Sequence, residues 1–183
     1  MGVKNLHAQG VRICSNVKFA LIWRGTLKGK HHVLLETNRV KYEFSICRNI
    51  TILQGDSATG KTTLVELLQQ FARRGAGSGI RLESDVPVRV FAGDGEDWRS
   101  FLQNPKPGIL FFDEDYPFVH SREFAREVAE SEHYFVLITR KPLHNLPYSI
   151  REVYGIRTTG KFHFPEQVYN EFYPLFPEQF KPA

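Results

Sequence analysis

The sequence predicts a single α/β domain with a mainly parallel sheet, helices on both faces and an antiparallel strand meander at the N-terminus. Two patterns carry this prediction. Residues 50–54 form a short apolar, β-branched stretch that is followed by a glycine-containing loop and a helical pattern. Strand-like and helix-like segments then alternate from residue 50 to residue 139, which favours parallel strands joined by right-handed crossovers. A chain of 183 residues, 42% apolar, suits one domain spanning residues 1–183.

Residues 1–49 read as a strand-rich N-terminal part. Strand-like patterns cover residues 17–23, 32–36 and 42–46, with turn chemistry at residues 28–30 and 37–39. This spacing predicts an antiparallel meander that leads directly into the strand at 50–54. The basic turn at residues 28–32 is consistent with a solvated hairpin tip or with a nucleic-acid contact, for which the support is weak.

Residues 50–140 are predicted to form the core. A helix follows the glycine loop, because apolar residues recur at helical spacing and Gly75 stands just after two arginines; these apolar residues are Leu64, Leu67, Leu68 and Phe71. Residues 73–79 read as a flexible connection. Strands are then expected at residues 86–91, 109–112 and 134–138. A short helix around Trp98 and a second one capped by Ser121 separate them.

Residues 141–183 form an aromatic C-terminal extension. Residues 153–156 and 161–164 suggest a hairpin around residues 158–160, with a short helix after Pro165. Two interpretations remain open for the aromatic rings: they cover one face of the sheet, or they form a docking surface for another protein. The rings are Phe162, Phe164, Tyr169, Phe172, Tyr173, Phe176 and Phe180.

The loop after residue 54 matches the phosphate-binding pattern G-x-x-x-x-G-K-[ST]. Its residues are Gly55, Asp56, Ser57, Ala58, Thr59, Gly60, Lys61 and Thr62. Glycines let backbone N–H groups surround phosphate oxygens, and the following helix N-terminus adds partial positive charge. Lys61 would reach the β- and γ-phosphates, Thr62 would ligate Mg²⁺, and Thr63 belongs to the same binding segment. The loop therefore predicts a nucleoside triphosphate bound with Mg²⁺; ATP is the expected nucleotide, although the loop itself does not select the base.

Carboxylates follow the buried strand at 109–112. Asp113 is the candidate Mg²⁺ ligand, usually through water, and Glu114 is the candidate catalytic base that activates the attacking water. Asp115 is a second metal ligand or a solvated loop residue. A glutamate at this position favours the activation of water as the attacking group.

Thr139 and Arg140 end the next predicted strand. The Thr139 hydroxyl would either sense the γ-phosphate through the attacking water or bond to local backbone. Arg140 is a candidate for stabilising charge in phosphoryl transfer, with Arg151 and Arg157 as rivals.

Charge and cysteine content limit the location and partners. A net charge of +4 permits nucleic-acid contact without arguing for it. Cys14 and Cys47 have no metal-like spacing and read as reduced thiols. The chain has no apolar signal core and no run long enough to span a membrane, so a cytoplasmic protein without membrane contact is expected.

Residues 42–140 resemble the P-loop NTPase superfamily, in the branch with a glutamate after the second motif. The strands ahead of the loop resemble the nucleotide-binding domains of ABC-type ATPases. The resemblance implies the three-layer P-loop NTPase fold, with residues 55–62 as Walker A, Asp113 and Glu114 as Walker B, and Thr139 at the switch position. The ABC signature L-S-G-G-Q is missing between residues 63 and 112, and a guanine-reading motif is missing after residue 138.

Three functions follow from these residues. The first is an Mg²⁺-dependent ATPase that acts as a nucleotide-controlled switch with a partner protein or through self-association. The second is a nucleotide-binding module with negligible turnover. The third is a small P-loop kinase, against which the post-strand glutamate argues because it favours activation of water.

Overall fold

The computed structural model describes residues 29–55, 60–93, 97–103, 105–113, 116–162 and 167–177. Within these ranges the chain forms nine strands and three α-helices. The strands are β1 (His31–Glu36), β2 (Val40–Ile46), β3 (Ile50–Gln54), β4 (Arg81–Ser84), β5 (Val88–Val90), β6 (Ile109–Phe112), β7 (Tyr134–Thr139), β8 (Val153–Phe162) and β9 (Gln167–Pro174). The helices are α1 (Lys61–Arg74), α2 (Trp98–Leu102) and α3 (Arg122–Glu130).

All nine strands belong to one mixed sheet with the order β4-β1-β2-β9-β8-β3-β7-β6-β5. The sheet curls into a nearly closed barrel. The predicted three-layer fold, a mainly parallel sheet between two helical layers, is therefore wrong. Antiparallel pairs β4–β1, β1–β2 and β9–β8 build the half of the sheet beyond β3. The few helices of the described residues do not form two continuous layers.

The predicted meander is confirmed in part. β1 and β2 pair antiparallel, with His31 opposite Ile46. The turn between them is closed by the Thr37 hydroxyl, which accepts hydrogen bonds from the backbone N–H groups of Arg39 and Val40. However, β2 does not lead into a pairing with β3, because its other neighbour is the parallel strand β9. The strand predicted at residues 17–23 lies outside the described residues.

The strands β5, β6, β7 and β3 are parallel neighbours, as the alternation from residue 50 to residue 139 predicts. Every residue of β6 and β7 is buried, and so are the first four of β3. Continuous apolar runs suit such strands because both of their faces are covered. Since the strands run in one direction, their carboxyl ends lie at one edge of the sheet.

α1 lies against the face of the sheet that the curl encloses. Its buried Leu64, Val65 and Leu68 share one core cluster with residues of β1, β2, β6 and β7. α2 and α3 pack in a second cluster on the other face, and the predicted Ser121 cap is confirmed, since its hydroxyl accepts from the Phe124 N–H at 3.1 Å. Within the described ranges, none of the helices has the length and apolarity that crossing a bilayer requires.

Two connections differ from their predictions. Residues 75–78 were expected to be part of a flexible connection, but Gly75–Ser78 forms a 3₁₀ turn in which the Ser78 hydroxyl donates to the Gly75 carbonyl at 2.6 Å. The C-terminal part also differs: β8 runs through residues 158–160 without a hairpin turn, and β9 replaces the short helix predicted after Pro165. A register shift between Thr158 and Gly160 absorbs the irregular residues.

Two strands of the C-terminal extension, β8 and β9, belong to the sheet, and one ring of β9 packs on its core face. Phe172 lies on β9, and its ring stacks on Phe44 of β2 with 4.0 Å between centroids and 2° between planes. Phe172 also packs against the core cluster around α1, whereas Phe176 is 37% exposed. The packed interpretation is confirmed for Phe172, and Phe180 lies outside the described residues.

We expect Phe172→Ala to lower the free energy of unfolding by about 2–4 kcal/mol, because it leaves a cavity against Phe44 and the core. Phe176→Ala is the matched control and should change it by less than about 1 kcal/mol. Equilibrium urea denaturation of both variants checks this. Equal effects of the two substitutions would contradict the packing of Phe172.

Candidate functional site

The carboxyl edge of the parallel strands brings the predicted site segments together. Gln54, the last residue of β3, pairs with Thr139, the last residue of β7. Phe112, at the end of β6, pairs with Leu137 of β7, so Asp113 follows at the same edge. β7 lies between β3 and β6. The glycine loop, Asp113 and Thr139 therefore share one rim of the sheet, which is where ligands bind to parallel strands in α/β proteins.

The loop ends in a backbone conformation that requires glycine. Gly60 has φ +92° and ψ 1°, in the left-handed region, and α1 begins at the next residue. The Gly60 carbonyl accepts the first helical hydrogen bond, from the Leu64 N–H at 3.0 Å. Asp56, Ser57, Ala58 and Thr59 lie outside the described residues. Thr62 and Thr63, in the first turn of α1, are exposed.

Lys61 places a positive charge at the start of α1. Its side chain is 8% exposed, and its ammonium donates a hydrogen bond to the Gly55 carbonyl at 2.6 Å. This hydrogen bond joins Gly55, the first residue of the loop, to Lys61, the first residue of α1. The first turn of α1 contains no acidic residue, so the ammonium adds to the positive end of the helix dipole. Together they form a positive region suited to an anion.

Tyr42 fixes the loop from the other half of the sheet, and the motif analysis missed it. Its hydroxyl donates to the Gly60 carbonyl at 2.8 Å. A Cβ atom at Gly60 would lie 3.1 Å from that hydroxyl, so the contact also restricts position 60 to glycine. Burial raises the pKa of Tyr42 to about 12. A tyrosine at a buried position of a strand carries no sequence signal for this role.

Asp113 is half-buried at the end of β6, and Tyr116, three residues later, packs against the end of the neighbouring strand β5. The Tyr116 ring contacts Phe91 edge to face at 4.8 Å, and its hydroxyl donates to the Phe91 carbonyl at 3.4 Å. A Cβ at Gly93 would lie 2.7 Å from the Tyr116 ring. These contacts hold Tyr116 against the residues that follow β5. Glu114 and Asp115 lie outside the described residues.

The hydroxyl of Thr139 bonds to local backbone, which was one of its two predicted roles. It donates to the Lys141 carbonyl at 2.6 Å and accepts from the Lys141 N–H at 3.1 Å. The Arg140 carbonyl accepts a hydrogen bond from the Gln54 side chain at 3.3 Å. The side chain of Arg140 is exposed at the edge of the sheet where the loop begins.

The structure separates Arg140 from its two rivals. Arg151 precedes β8, whose Val153 pairs with Ile52, so it lies toward the amino ends of the parallel strands. Arg157 forms an ion pair with Glu171 at 2.6 Å. Of the three arginines, Arg140 follows directly from a strand end at the loop edge.

A cleft of about 430 Å³, which no sequence pattern predicted, opens beside Gly60 and the start of α1. Gly60 and Thr63 form its border with the loop and α1. Asn170, 5% exposed, lies at its β9 side and accepts a hydrogen bond from the Thr158 hydroxyl at 2.9 Å. The remaining lining residues are Arg39, Val40, Tyr42, Ile156 and Val168.

No family model matches the chain, and no curated protein is significantly similar to it. The resemblance to the P-loop NTPase superfamily predicted a three-layer fold, and the curled mixed sheet contradicts it. The assignment to that superfamily was therefore wrong. What remains is the local geometry of Gly55, Gly60, the start of α1 and the strand ends.

Tyr42 gives the protein a specific alkaline sensitivity. Because its pKa rises from 10.0 in the unfolded chain to about 12 on folding, its contribution to stability is complete below pH 10 and is lost as the pH rises through 12. We expect the free energy of unfolding of the wild type to fall relative to Tyr42→Phe across this window, by about 2 kcal/mol. Urea denaturation of both proteins from pH 8 to pH 12 measures the difference. Parallel profiles would contradict the burial of the Tyr42 hydroxyl.

Proposed function

We propose that this protein binds ATP with Mg²⁺ and hydrolyses it. The observation that carries the proposal is the start of α1, where a left-handed glycine, a nearly buried lysine ammonium and a helix N-terminus meet at the end of β3. Phosphate oxygens are the anions that a helix N-terminus with a lysine at its first residue binds best. The proposal depends on this local geometry and not on membership of a family.

Oxygen ligands for Mg²⁺ are available at the same edge. The Thr62 hydroxyl is exposed in the first turn of α1, and the Asp113 carboxylate follows β6. Hydroxyl and carboxylate oxygens match the preference of Mg²⁺, which would neutralise part of the phosphate charge. Thr62 and Asp113 are the residues that would hold the ion.

The chemical step requires a base for water. Glu114 follows Asp113 in sequence, so it is the group we assign to accept the proton as the water oxygen bonds to the γ-phosphorus. The bond from the γ-phosphorus to the bridging oxygen breaks, and ADP leaves with that oxygen. Arg140 would stabilise charge on the transferred group, and the backbone bonds of Thr139 would fix the strand end from which Arg140 extends.

We further propose that turnover controls a surface read by a partner protein or a second copy of the chain, in the cytoplasm. The support is indirect: the candidate loop contacts both halves of the sheet, so that a change at Gly60 reaches β2 through Tyr42. Phosphate release measured with the purified chain alone, and with a kinase acceptor, separates hydrolysis from phosphoryl transfer. Tight binding without release would indicate a nucleotide-binding module.

Lys61→Ala should weaken the binding of MgATP by about tenfold or more, because the loop loses the charge that opposes the phosphates. Isothermal titration calorimetry measures the affinity, and circular dichroism confirms that the fold is kept. Lys106→Ala is a control for loss of one positive charge, since this exposed lysine precedes β6 at the opposite edge of the sheet. An unchanged affinity in Lys61→Ala would remove the basis of the proposal.

Glu114→Gln should keep nucleotide binding and reduce phosphate release by about a hundredfold or more, since the amide cannot accept a proton. Asp113→Asn should instead raise the Mg²⁺ concentration required for half-maximal binding. Steady-state phosphate release and Mg²⁺ titration distinguish the two variants. Equal losses of binding and turnover in Glu114→Gln would assign Glu114 a structural or metal-binding role.

A further inference from the structure

We propose that the cleft between the α1 N-terminus and β2, β8 and β9 binds the nucleoside part of the triphosphate, its ribose and base. This inference rests on the proposed function, because it assumes that the phosphates bind at the loop. It adds a specificity-determining subsite, contributed largely by the C-terminal strands, to a site that the loop motif alone would leave without contacts to the nucleoside.

The position of the cleft supports this assignment. Gly60 ends the glycine loop and Thr63 lies in the first turn of α1, and both line the cleft. A triphosphate on the loop would therefore end next to the cleft opening. The volume of about 430 Å³ falls within the range of small-molecule sites, which is roughly 300–1,000 Å³.

The chemistry of the lining fits a nucleoside. Val40, Ile156 and Val168 supply apolar surface for a base, and the planar guanidinium of Arg39 is suited to stacking on one. Thr158 and Asn170 add hydroxyl and amide groups that can hydrogen-bond a ribose or a base edge. A few polar groups within an apolar lining are typical of sites that orient a small ligand.

A second cleft, of about 310 Å³, lies along the exposed side of α1 and lacks this combination. Its lining consists of charged and amide side chains, namely Glu66, Gln69, Gln70, Arg73 and Arg74. It offers no apolar side chain to contact a base, and it extends toward the C-terminal end of α1, away from the loop. The cleft beside Gly60 is therefore the one that we assign to the nucleoside.

Thr158→Trp tests the assignment because it fills the cleft from an exposed strand position. We expect it to weaken ATP binding by about tenfold or more while changing the affinity for inorganic tripolyphosphate by less than about twofold, since only ATP carries a nucleoside. Thr159→Trp is the matched control: it adds the same side chain at the next exposed residue of β8, outside the cleft. It should leave both affinities unchanged.

Arg39→Ala provides a second variant, because it shortens an exposed side chain and cannot overfill the strand. It should weaken ATP binding by about threefold or more and again spare tripolyphosphate. The melting temperature of each variant is measured first, and if Thr158→Trp does not fold, Arg39→Ala decides. Unchanged ATP affinity in the folded variants, or equal losses for both ligands, would overturn the nucleoside assignment. A wild type that binds neither ligand would instead overturn the proposed function.

Discussion

The packing of α1 against two halves of one curled sheet is the constraint on which the rest of the molecule depends. The helix buries one apolar stripe, and residues from both halves cover it: Val33 and Phe44 from β1 and β2, and Phe111 and Val136 from β6 and β7. The Phe44 and Phe111 rings approach to 6.3 Å across the enclosed face. Because interiors are close-packed, a shift of either half would open a cavity at α1. Both halves of the sheet therefore fix the position of the α1 N-terminus, where Lys61 lies.

The same constraint connects the core to the candidate site. β3 leads directly into the loop, so the parallel half of the sheet sets where the loop begins. Tyr42 of β2 bonds to Gly60, so the other half sets where the loop ends. The two ends of the loop are also joined by the bond from Lys61 to Gly55. Strands and a packed helix thus hold the binding groups in place before a ligand arrives. Less conformational entropy is therefore lost when the ligand binds.

The sequence predicted elements whose signals are local. Apolar runs marked β3, β6 and β7, the helical repeat of leucines marked α1, and Ser121 marked the start of α3. The sequence did not predict contacts between residues that lie far apart in the chain. Val40 of β2 pairs with Val168 of β9, and the Gln167 side chain donates to the Thr37 carbonyl at 2.6 Å, although more than a hundred residues separate each pair in sequence. No local sequence signal predicts the pairing of β2 with β9. The only evident neighbour of the meander was therefore β3, and the predicted fold class was wrong.

β4 and β9 were not predicted as strands, because their own sequences carry a weak strand signal. Arg81–Ser84 alternates charged and less polar residues at a sheet edge, where exposure permits charge and the apolar signal is weak. β9 carries aromatic residues near several prolines, a composition that equally suits a covering segment.

The residues of the candidate site also fall into those with a local sequence pattern and those that strand pairing brings together. The loop motif and Asp113 could be predicted as candidates because their pattern lies in consecutive residues. Tyr42, Thr158 and Asn170 were missed because strand pairing alone brings them to the loop. The groups proposed to hold a phosphate depend on one strand end and one helix start rather than on the whole fold, and similar chemistry recurs on unrelated folds. The positive end of the α1 dipole and the Lys61 ammonium at its first residue both favour an anion bound beside them.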